Sequence, residues 1–215
     1  MNPYRRKAPT DPTSDNTNRQ YYVAIAIPPL TFYEDGRDGI LCKWLEEQGF
    51  SPEKTISDYL THSSSTDTTR YSPLYIAAHK NATHIIIILI HELNADIDAI
   101  GYGAVSALYV AANHGCYDAV RLLCRYGTST ATQNFTLKSP LQIAACNGHH
   151  KVVSFLCTSA TRRNRRNALY YACEGGHVDT VHALLEFGGI NVNARTWMGG
   201  RSALHICVYH GHLQL

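Results

Sequence analysis

Charged residues are scarce in this 215-residue sequence, at 17% against about 25% in typical globular domains, whereas hydrophobic residues make up 45%. The formal net charge is only +2. So small an excess of positive charge gives no reason by itself to expect a nucleic acid or a membrane surface as a partner. The hydrophobic content excludes disorder throughout, and the length allows one large domain or two small ones.

Long hydrophobic runs are also absent. The longest apolar run, residues 21–27, has seven residues and ends at Pro28, whereas a helix that crosses a bilayer needs about 20. The N-terminal residues contain no apolar core of the kind found in secretory signals. We therefore expect no membrane segment in this chain and a location in the cytoplasm, with the nucleus as the alternative.

Closely spaced cysteines are missing as well. The seven cysteines are an odd number, lie far apart and include no Cys-x-x-Cys motif. This pattern favours reduced thiols, which we interpret as small buried hydrophobic residues. The sequence also contains no phosphate-binding glycine loop, nucleophile elbow or kinase signature, so we expect no catalytic residues, no cofactor and no enzymatic activity.

A repeated phrase dominates the second part of the chain. Its five copies start 34, 33, 28 and 35 residues apart, at Ser72, Ser106, Ser139, Asn167 and Ser202. The copies are Ser-Pro-Leu-Tyr-Ile-Ala-Ala, Ser-Ala-Leu-Tyr-Val-Ala-Ala, Ser-Pro-Leu-Gln-Ile-Ala-Ala, Asn-Ala-Leu-Tyr-Tyr-Ala-Cys and Ser-Ala-Leu-His-Ile-Cys-Val. Each copy resembles the Thr-Pro-Leu-His-x-Ala-Ala signature of the ankyrin repeat, and the resemblance covers residues 72–215.

The resemblance implies an all-α solenoid of stacked helix-turn-helix units joined by short fingers. The units would occupy residues 72–105, 106–138, 139–166 and 167–201, with an incomplete unit at 202–215. Ahead of them we predict a disordered tail over residues 1–20, and a degenerate capping repeat with a polar loop over residues 21–71. Because the last unit stops before a second helix, leaving Leu204, Ile206 and Val208 uncovered, we expect a fragment of a longer protein.

The physical chemistry of the phrase agrees with the resemblance. Its first residue is a predicted N-cap, and Pro73 and Pro140 occupy the first helical position, where a missing N–H has no cost. The small residues at the sixth and seventh positions would let a neighbouring helix approach closely. A left-handed turn should follow about nine residues after the cap, at Asn81, Gly115, Gly148, Gly176 and Gly211. A second apolar helix should then end at Asn94, Gly127 and Gly188.

Histidine is plentiful, with 12 residues, and its tightest group is His205, His210 and His212. No spacing in this group matches a zinc motif, so we expect no metal site. The resemblance implies structural roles for a histidine at the fourth phrase position and for one after the turning glycine, as at His149 and His177.

Four arginines lie between Arg162 and Arg166, at the end of the shortened third unit. We interpret this stretch as a solvated loop between helical units, and we expect the missing finger to leave a notch in the solenoid's edge. The alternatives are a nuclear import signal or a site for an acidic partner.

The resemblance also implies where a partner protein would bind. In the family, inner helices and fingers form a concave binding face on which the fifth phrase position is exposed. Aromatic residues at fingertips would add anchors, since aromatics dominate interface hot spots. The six predicted partner-binding residues occupy these two kinds of position: Tyr102, Val110, Phe135, Ile143, Tyr171 and Trp197. The alternative is that the branched residues pack between inner helices and the aromatics cover finger bases.

We therefore predict a monomeric, non-enzymatic scaffold that binds a partner protein, and no nucleic acid, on its concave face. The alternative is the substrate-recruiting or regulatory arm of a larger protein, such as a ubiquitin-ligase adaptor, a kinase or a channel, whose effector region lies beyond residue 215.

Overall fold

The computed structural model describes residues 40–49, 72–91, 93–101, 105–130, 134, 136–187, 189–195, 200–212 and 214. All of them belong to one compact unit, Ile40–Leu215. The predicted tail, residues 1–20, and most of the predicted cap, residues 21–71, lie outside the described residues.

Helices make up most of the described chain, and after the first they alternate between inner and outer members of a pair. In chain order the elements are α1 (Ile40–Glu47), α2 (Pro73–His79), α3 (Thr83–His91), β1 (Ile100–Gly101), β2 (Val105–Ser106), α4 (Ala107–Asn113), α5 (Tyr117–Arg125), α6 (Pro140–Cys146), α7 (His150–Cys157), α8 (Arg162–Glu174), α9 (Val178–Glu186) and α10 (Ala203–Tyr209). The inner helices are α2, α4, α6, α8 and α10. The two strands form an antiparallel ladder that pairs Ile100 with Ser106.

Serine N-caps begin four of the five inner helices, as predicted. The hydroxyl oxygens of Ser72 and Ser106 each accept the N–H of the residue three positions on, at 3.2 Å. Ser139 forms a full capping box, because the Gln142 side chain in turn accepts the Ser139 N–H at 3.0 Å. Each cap satisfies a backbone donor that the helix itself leaves unpaired, which explains why these helices start where they do.

The turns between inner and outer helices have the predicted left-handed backbone. Gly115 has φ 69° and Gly148 has φ 77°, and Asn81 fills the same place in the first unit at φ 55°. Asn94 and Gly127 likewise have positive φ just beyond α3 and α5. The predicted end of the next outer helix, Gly188, lies outside the described residues.

Small residues allow the helices to stack. Each inner helix contacts the inner helix of the next unit, from α2 to α10, and the outer helices contact one another in the same order. The alanines at the sixth and seventh phrase positions of α2, α4 and α6 are completely buried. One continuous apolar core results, and it includes Leu41 and Leu45 of α1. The predicted all-α solenoid is confirmed.

The arginine stretch departs from its prediction. Instead of a loop, Arg162–Arg166 forms the first turns of α8, which has 13 residues where the other inner helices have seven. The Thr161 hydroxyl caps this helix by accepting the Asn164 N–H at 3.2 Å. Asn167, the predicted N-cap, therefore lies inside α8. Both predictions are wrong because arginine is a good helix former, and with no finger to interrupt it the helix extends backward.

The last described helix exposes part of its apolar face. Leu204 and Val208 of α10 are 63% and 62% exposed, whereas Ile206 is buried against α8. Among the cysteines, Cys157, Cys173 and Cys207 are buried, and Cys116, Cys124 and Cys146 are half-buried. None of the described helices combines the length and apolar character needed to span a membrane.

Candidate functional site

A row of tyrosines lies on the inner helices α4, α8 and α10. Tyr109 of α4 and the adjacent pair Tyr170 and Tyr171 of α8 are each only 8% exposed. The rings of the pair meet edge to face, with centroids 5.6 Å apart. Tyr209, the last residue of α10, is 69% exposed. Of these four rings only that of Tyr209 presents a large contact area to solvent, and the other three are packed into the stack.

Asn134 connects the finger of the second unit to this row. Its side-chain amide donates to the Tyr109 hydroxyl at 2.9 Å. Its side-chain oxygen accepts the backbone N–H groups of Thr136 and Lys138, both at 3.1 Å, and the Thr136 hydroxyl at 2.7 Å. One side chain therefore closes the turn of the finger and anchors that turn to α4.

Two cations lie against the same row. The Lys138 ammonium is 4.5 Å from the centre of the Tyr171 ring and 3.6 Å from the Cys146 sulfur. The Arg201 guanidinium is 4.9 Å from the centre of the Tyr209 ring. These are cation–π distances, and each contact holds a long side chain over an aromatic face. We call this set the tyrosine strip: Tyr109, Lys138, Tyr170, Tyr171, Arg201 and Tyr209.

The phenols of Tyr109, Tyr170 and Tyr171 keep their protons well above neutral pH. Burial raises the pKa of Tyr109, Tyr170 and Tyr171, and the Glu174 carboxylate raises the last two further. Arg201 acts in the opposite direction on the pKa of Tyr170, with a smaller effect than burial. Neutral phenols can both donate and accept hydrogen bonds, so the strip offers neutral polar groups next to two positive charges.

A ladder of histidines connects successive units. The Nε2 atoms of His149, His177 and His212 lie 2.9, 2.9 and 3.1 Å from backbone carbonyl oxygens at the ends of the preceding inner helices, those of Asn113, Cys146 and Glu174. In the second unit Cys116 takes the histidine's place, and its thiol donates to the His79 carbonyl at 3.4 Å. These imidazoles therefore have the structural roles that the sequence resemblance implied.

The described residues contain no group of three or more His, Cys, Asp or Glu side chains able to hold a metal ion. One hollow between Leu141, Leu156 and Thr161 has a volume of about 60 Å³. Small-molecule sites usually enclose about 300 to 1,000 Å³, so this hollow is too small for a cofactor.

Comparison with known families agrees with the repeated helix pairs. A family model described as "Ankyrin repeats (3 copies)" matches residues 41–134, 103–164 and 141–215. The chain belongs to the ankyrin-repeat family. Ankyrin repeats are protein-interaction modules, so the coarse function is binding to other proteins.

Three curated proteins are similar to this ankyrin-repeat chain. Probable E3 ubiquitin-protein ligase XBOS32 of Oryza sativa subsp. japonica is 38% identical over 112 residues, covering 49% of the chain and 22% of that protein. E3 ubiquitin-protein ligase XBAT33 of Arabidopsis thaliana is 40% identical over 81 residues, covering 35% and 16%. Ankyrin repeat and KH domain-containing protein mask-1 of Caenorhabditis elegans is 30% identical over 129 residues, covering 57% and 5%. The matched part of the chain spans under a quarter of each relative's length.

The structure places three of the six predicted partner-binding residues inside the ankyrin stack. Val110, Ile143 and Tyr171 are 2%, 9% and 8% exposed. The expectation that the fifth phrase position is exposed is wrong for these units, because the close stacking of inner helices encloses that position within the core. Tyr102, Phe135 and Trp197 lie outside the described residues. The binding role of all six remains a prediction.

Of the strip, only Tyr171 is among the residues predicted from the sequence to bind a partner, although the sequence contains one further signal for the tyrosines. The fourth phrase position, usually His in ankyrin repeats, is Tyr in three of the five copies, at Tyr75, Tyr109 and Tyr170. That substitution marks a row of phenols on the inner helices. Nothing comparable marks Lys138 or Arg201, because their position over an aromatic ring depends on how the chain turns just before each inner helix.

Proposed function

We propose that this ankyrin-repeat chain is a monomeric, cytoplasmic, non-enzymatic scaffold that binds a partner protein on the concave face formed by inner helices and fingers. The observation that carries this proposal is the tyrosine strip. Its accessible members are the exposed Arg201 and Tyr209 and the half-buried Lys138, whereas Tyr109, Tyr170 and Tyr171 are buried.

The residue types of the strip suit protein recognition. Tyrosine and arginine are among the residues that contribute most to protein–protein affinity, and a surface fixed in advance loses little conformational entropy on binding. The buried phenol rings and the Asn134 hydrogen bond fix the strip before any partner arrives. Val110 and Ile143 support this surface from within, and the predicted fingertip anchors Tyr102, Phe135 and Trp197 would extend it.

The positive charges of the strip allow a matched test. A peptide ligand selected against the chain from a display library should lose about tenfold in affinity with Lys138→Ala, because the ammonium group over Tyr171 is removed. The control is Lys151→Ala on the outer helix α7, where the lysine is exposed. Dissociation constants measured by fluorescence anisotropy check this expectation. Equal losses for both variants, or a loss for Lys151→Ala alone, would place the binding face elsewhere.

A second candidate function has a specific observation in its favour. Relatives named as E3 ubiquitin-protein ligases match the chain at 38% and 40% identity through their ankyrin repeats. On this proposal the chain holds a substrate protein while a ligase region in the same or an associated polypeptide transfers ubiquitin.

The ligase candidate predicts that the chain is sufficient to recruit a substrate. Fusion of the chain to an active RING domain should cause ubiquitination of a reporter that carries the selected peptide ligand. Fusion of the Lys138→Ala variant should cause much less. Reporter ubiquitination that is independent of the peptide would contradict recruitment, whereas failure of the peptide to bind at all would contradict the scaffold proposal itself.

A further inference from the structure

The helix α8 is longer than every other described inner helix, and its extra length lies entirely at the arginine end. Inner helices of seven residues start at the second phrase position, whereas α8 starts six residues earlier, at Arg162. Six residues correspond to about 9 Å of helix. Where a β-hairpin joins the first and second units, a helical extension joins the third and fourth. We call residues 161–166 the cationic spur.

Four of the five residues from Arg162 to Arg166 are arginines, and local interactions disfavour them there. Positive charge is unfavourable in the first turn of a helix, because the backbone dipole is already positive at that end. Like charges three and four residues apart, such as Arg162 and Arg166, repel each other. The first turn contains no acidic residue that would offset either effect.

Within the described chain, carboxylates do not neutralise most of the spur. Arg162, Arg163 and Arg166 form no ion pair with a described residue, and the Arg166 Nε is buried without a hydrogen-bond partner. Arg162 lies beside the linker after α9, where a Cβ built on Gly189 would be 3.9 Å from its guanidinium. Glu186, three residues before Gly189, is exposed and makes no ion pair with the spur.

A small hollow opens at the base of the spur. Its lining includes the polar residues Thr130, Ser159, Thr161 and Asn164 and the apolar residues Leu141 and Leu156. Thr161 and Asn164 belong to both the spur and the hollow. The hollow therefore offers polar side chains, with room for a small apolar side chain, next to the helical turns that carry the four arginines.

We propose that the cationic spur and its hollow bind an Asp/Glu-rich peptide segment of a partner protein. Guanidinium groups pair with carboxylates through two parallel hydrogen bonds, which gives geometric specificity as well as attraction. The inference does not depend on the tyrosine strip, because the spur consists of different residues with a different chemistry.

The same observations argue against a nucleic acid as the ligand. The spur extends over about one and a half helical turns, whereas nucleic-acid sites spread basic residues over a face or a long stripe. Neither the spur nor the hollow contains an aromatic side chain on which a base could stack. The net charge of +2 also gives little long-range attraction for a polyanion.

Direct binding of synthetic peptides tests this proposal. The probe is a fluorescein-labelled peptide of alternating Glu and Ser, compared with its Gln/Ser counterpart, a phosphoserine/Ser peptide and a single-stranded DNA of equal charge. Fluorescence anisotropy at about 0.05 and 0.15 M NaCl reports affinity and its dependence on salt. We expect the Glu/Ser peptide to bind more tightly than the other three probes.

Charge reversal then locates the site. The double variant Arg162→Glu/Arg163→Glu should weaken Glu/Ser binding by at least about tenfold, because two attractive contacts become repulsive. The control, Arg121→Glu/Arg125→Glu, reverses two exposed arginines on the outer helix α5 and should change affinity by less than about twofold. The spur variant should melt at the same temperature or higher, since Glu is favoured at a helix N-terminus.

Several results would overturn the proposal. They are equal losses of Glu/Ser affinity for the two double variants, and tighter binding of the DNA than of the Glu/Ser peptide. Binding of the phosphopeptide alone, or no binding of the Glu/Ser peptide, would overturn it as well. The variant Lys138→Ala should leave Glu/Ser binding unchanged, so failure at the spur and failure at the tyrosine strip give different results.

Discussion

The imidazole of His149 occupies the space that a side chain on Gly115 would fill. A Cβ built on Gly115 would lie 2.6 Å from the His149 Nδ1, while the Nε2 of the same ring is 2.9 Å from the Asn113 carbonyl oxygen. The same arrangement recurs between Gly148 and His177. A glycine in one unit therefore makes room for the histidine that connects the next unit to it.

This relationship predicts two different costs for substitution of glycine by alanine. Gly115 and Gly127 both have positive φ, so alanine at either position costs about 1 to 2 kcal/mol of backbone strain. Only Gly115→Ala must also displace a hydrogen-bonded ring, because no atom lies within 4 Å of a Cβ at Gly127. We expect Gly115→Ala to lower the free energy of unfolding by about 1 kcal/mol more than Gly127→Ala does. Urea denaturation measures the difference, and equal losses would mean that the ring moves aside without cost.

A pair of histidine rings predicts how stability depends on pH. The centroids of His79 and His114 are 4.1 Å apart, and burial, followed by the nearby His79 and His149, lowers the pKa of His114 from its ordinary 6.5. The unfolded chain therefore binds this proton more readily than the folded chain. Stability that is fully present above pH 6.5 is lost as the pH falls through 6.5 toward the lower pKa of the folded state.

The corresponding measurement compares how steeply the free energy of unfolding changes with pH in different variants. Between about pH 7.5 and 5.5, the free energy of unfolding should fall less steeply for His114→Gln than for the unchanged chain. His150→Gln, at an exposed position on α7, is the control and should keep the original slope. A slope for His114→Gln that matches the unchanged chain would show that this imidazole titrates alike in both states.

Two cysteines should be protected from alkylation by the fold. Burial raises the pKa of Cys124 and of Cys157 from 9.0 to about 11. At pH 8 each should contain about a hundredfold less thiolate than an unperturbed cysteine, and the thiolate is the form that reacts. Mass spectrometry after iodoacetamide treatment should find both residues modified at least about a hundredfold more slowly in the folded chain than in urea. Similar rates in both conditions would mean that these thiols are accessible and ionised.

The predicted fingertip anchors should affect binding and leave stability nearly unchanged. If Phe135 and Trp197 contact a partner, Phe135→Ala and Trp197→Ala should each cost about 2 kcal/mol of binding, or about thirtyfold in affinity for the selected ligand. Their cost in stability should stay well below the roughly 3 to 5 kcal/mol of an aromatic removed from a core. A large fall in melting temperature for both variants would show that they are core residues.

The repeat made most of the fold predictable, because local chemistry and stacking favour the same helices. Ser106, for example, is an N-cap by residue type, by its position before an apolar stripe and by its observed hydrogen bond. At Asn167 the repeat pattern and the local helix chemistry favour different starts for the helix. The phrase placed a cap there, but Thr161 begins the helix six residues earlier, and arginines that read as a loop in the sequence are compatible with a helix.

The candidate site was less predictable, because burial at a given phrase position depends on what the neighbouring units place beside it. The fifth position reads as exposed from the family pattern, yet Val110 and Ile143 are enclosed when alanine-rich inner helices approach closely. The position of Lys138 over Tyr171 brings together side chains from two different units. Such a contact leaves no periodic signal in the sequence.

The central claim is that a partner binds the inner-helix face. Photo-crosslinking from the two sides of the stack tests this claim most directly. Tyr209 on the inner helix α10 and Phe187 just after the outer helix α9 are aromatic and 69% and 38% exposed, so p-benzoylphenylalanine can replace either conservatively. With the selected ligand bound, the account predicts crosslinking from position 209 and none above background from position 187. Crosslinking from position 187 with none from position 209 would contradict it.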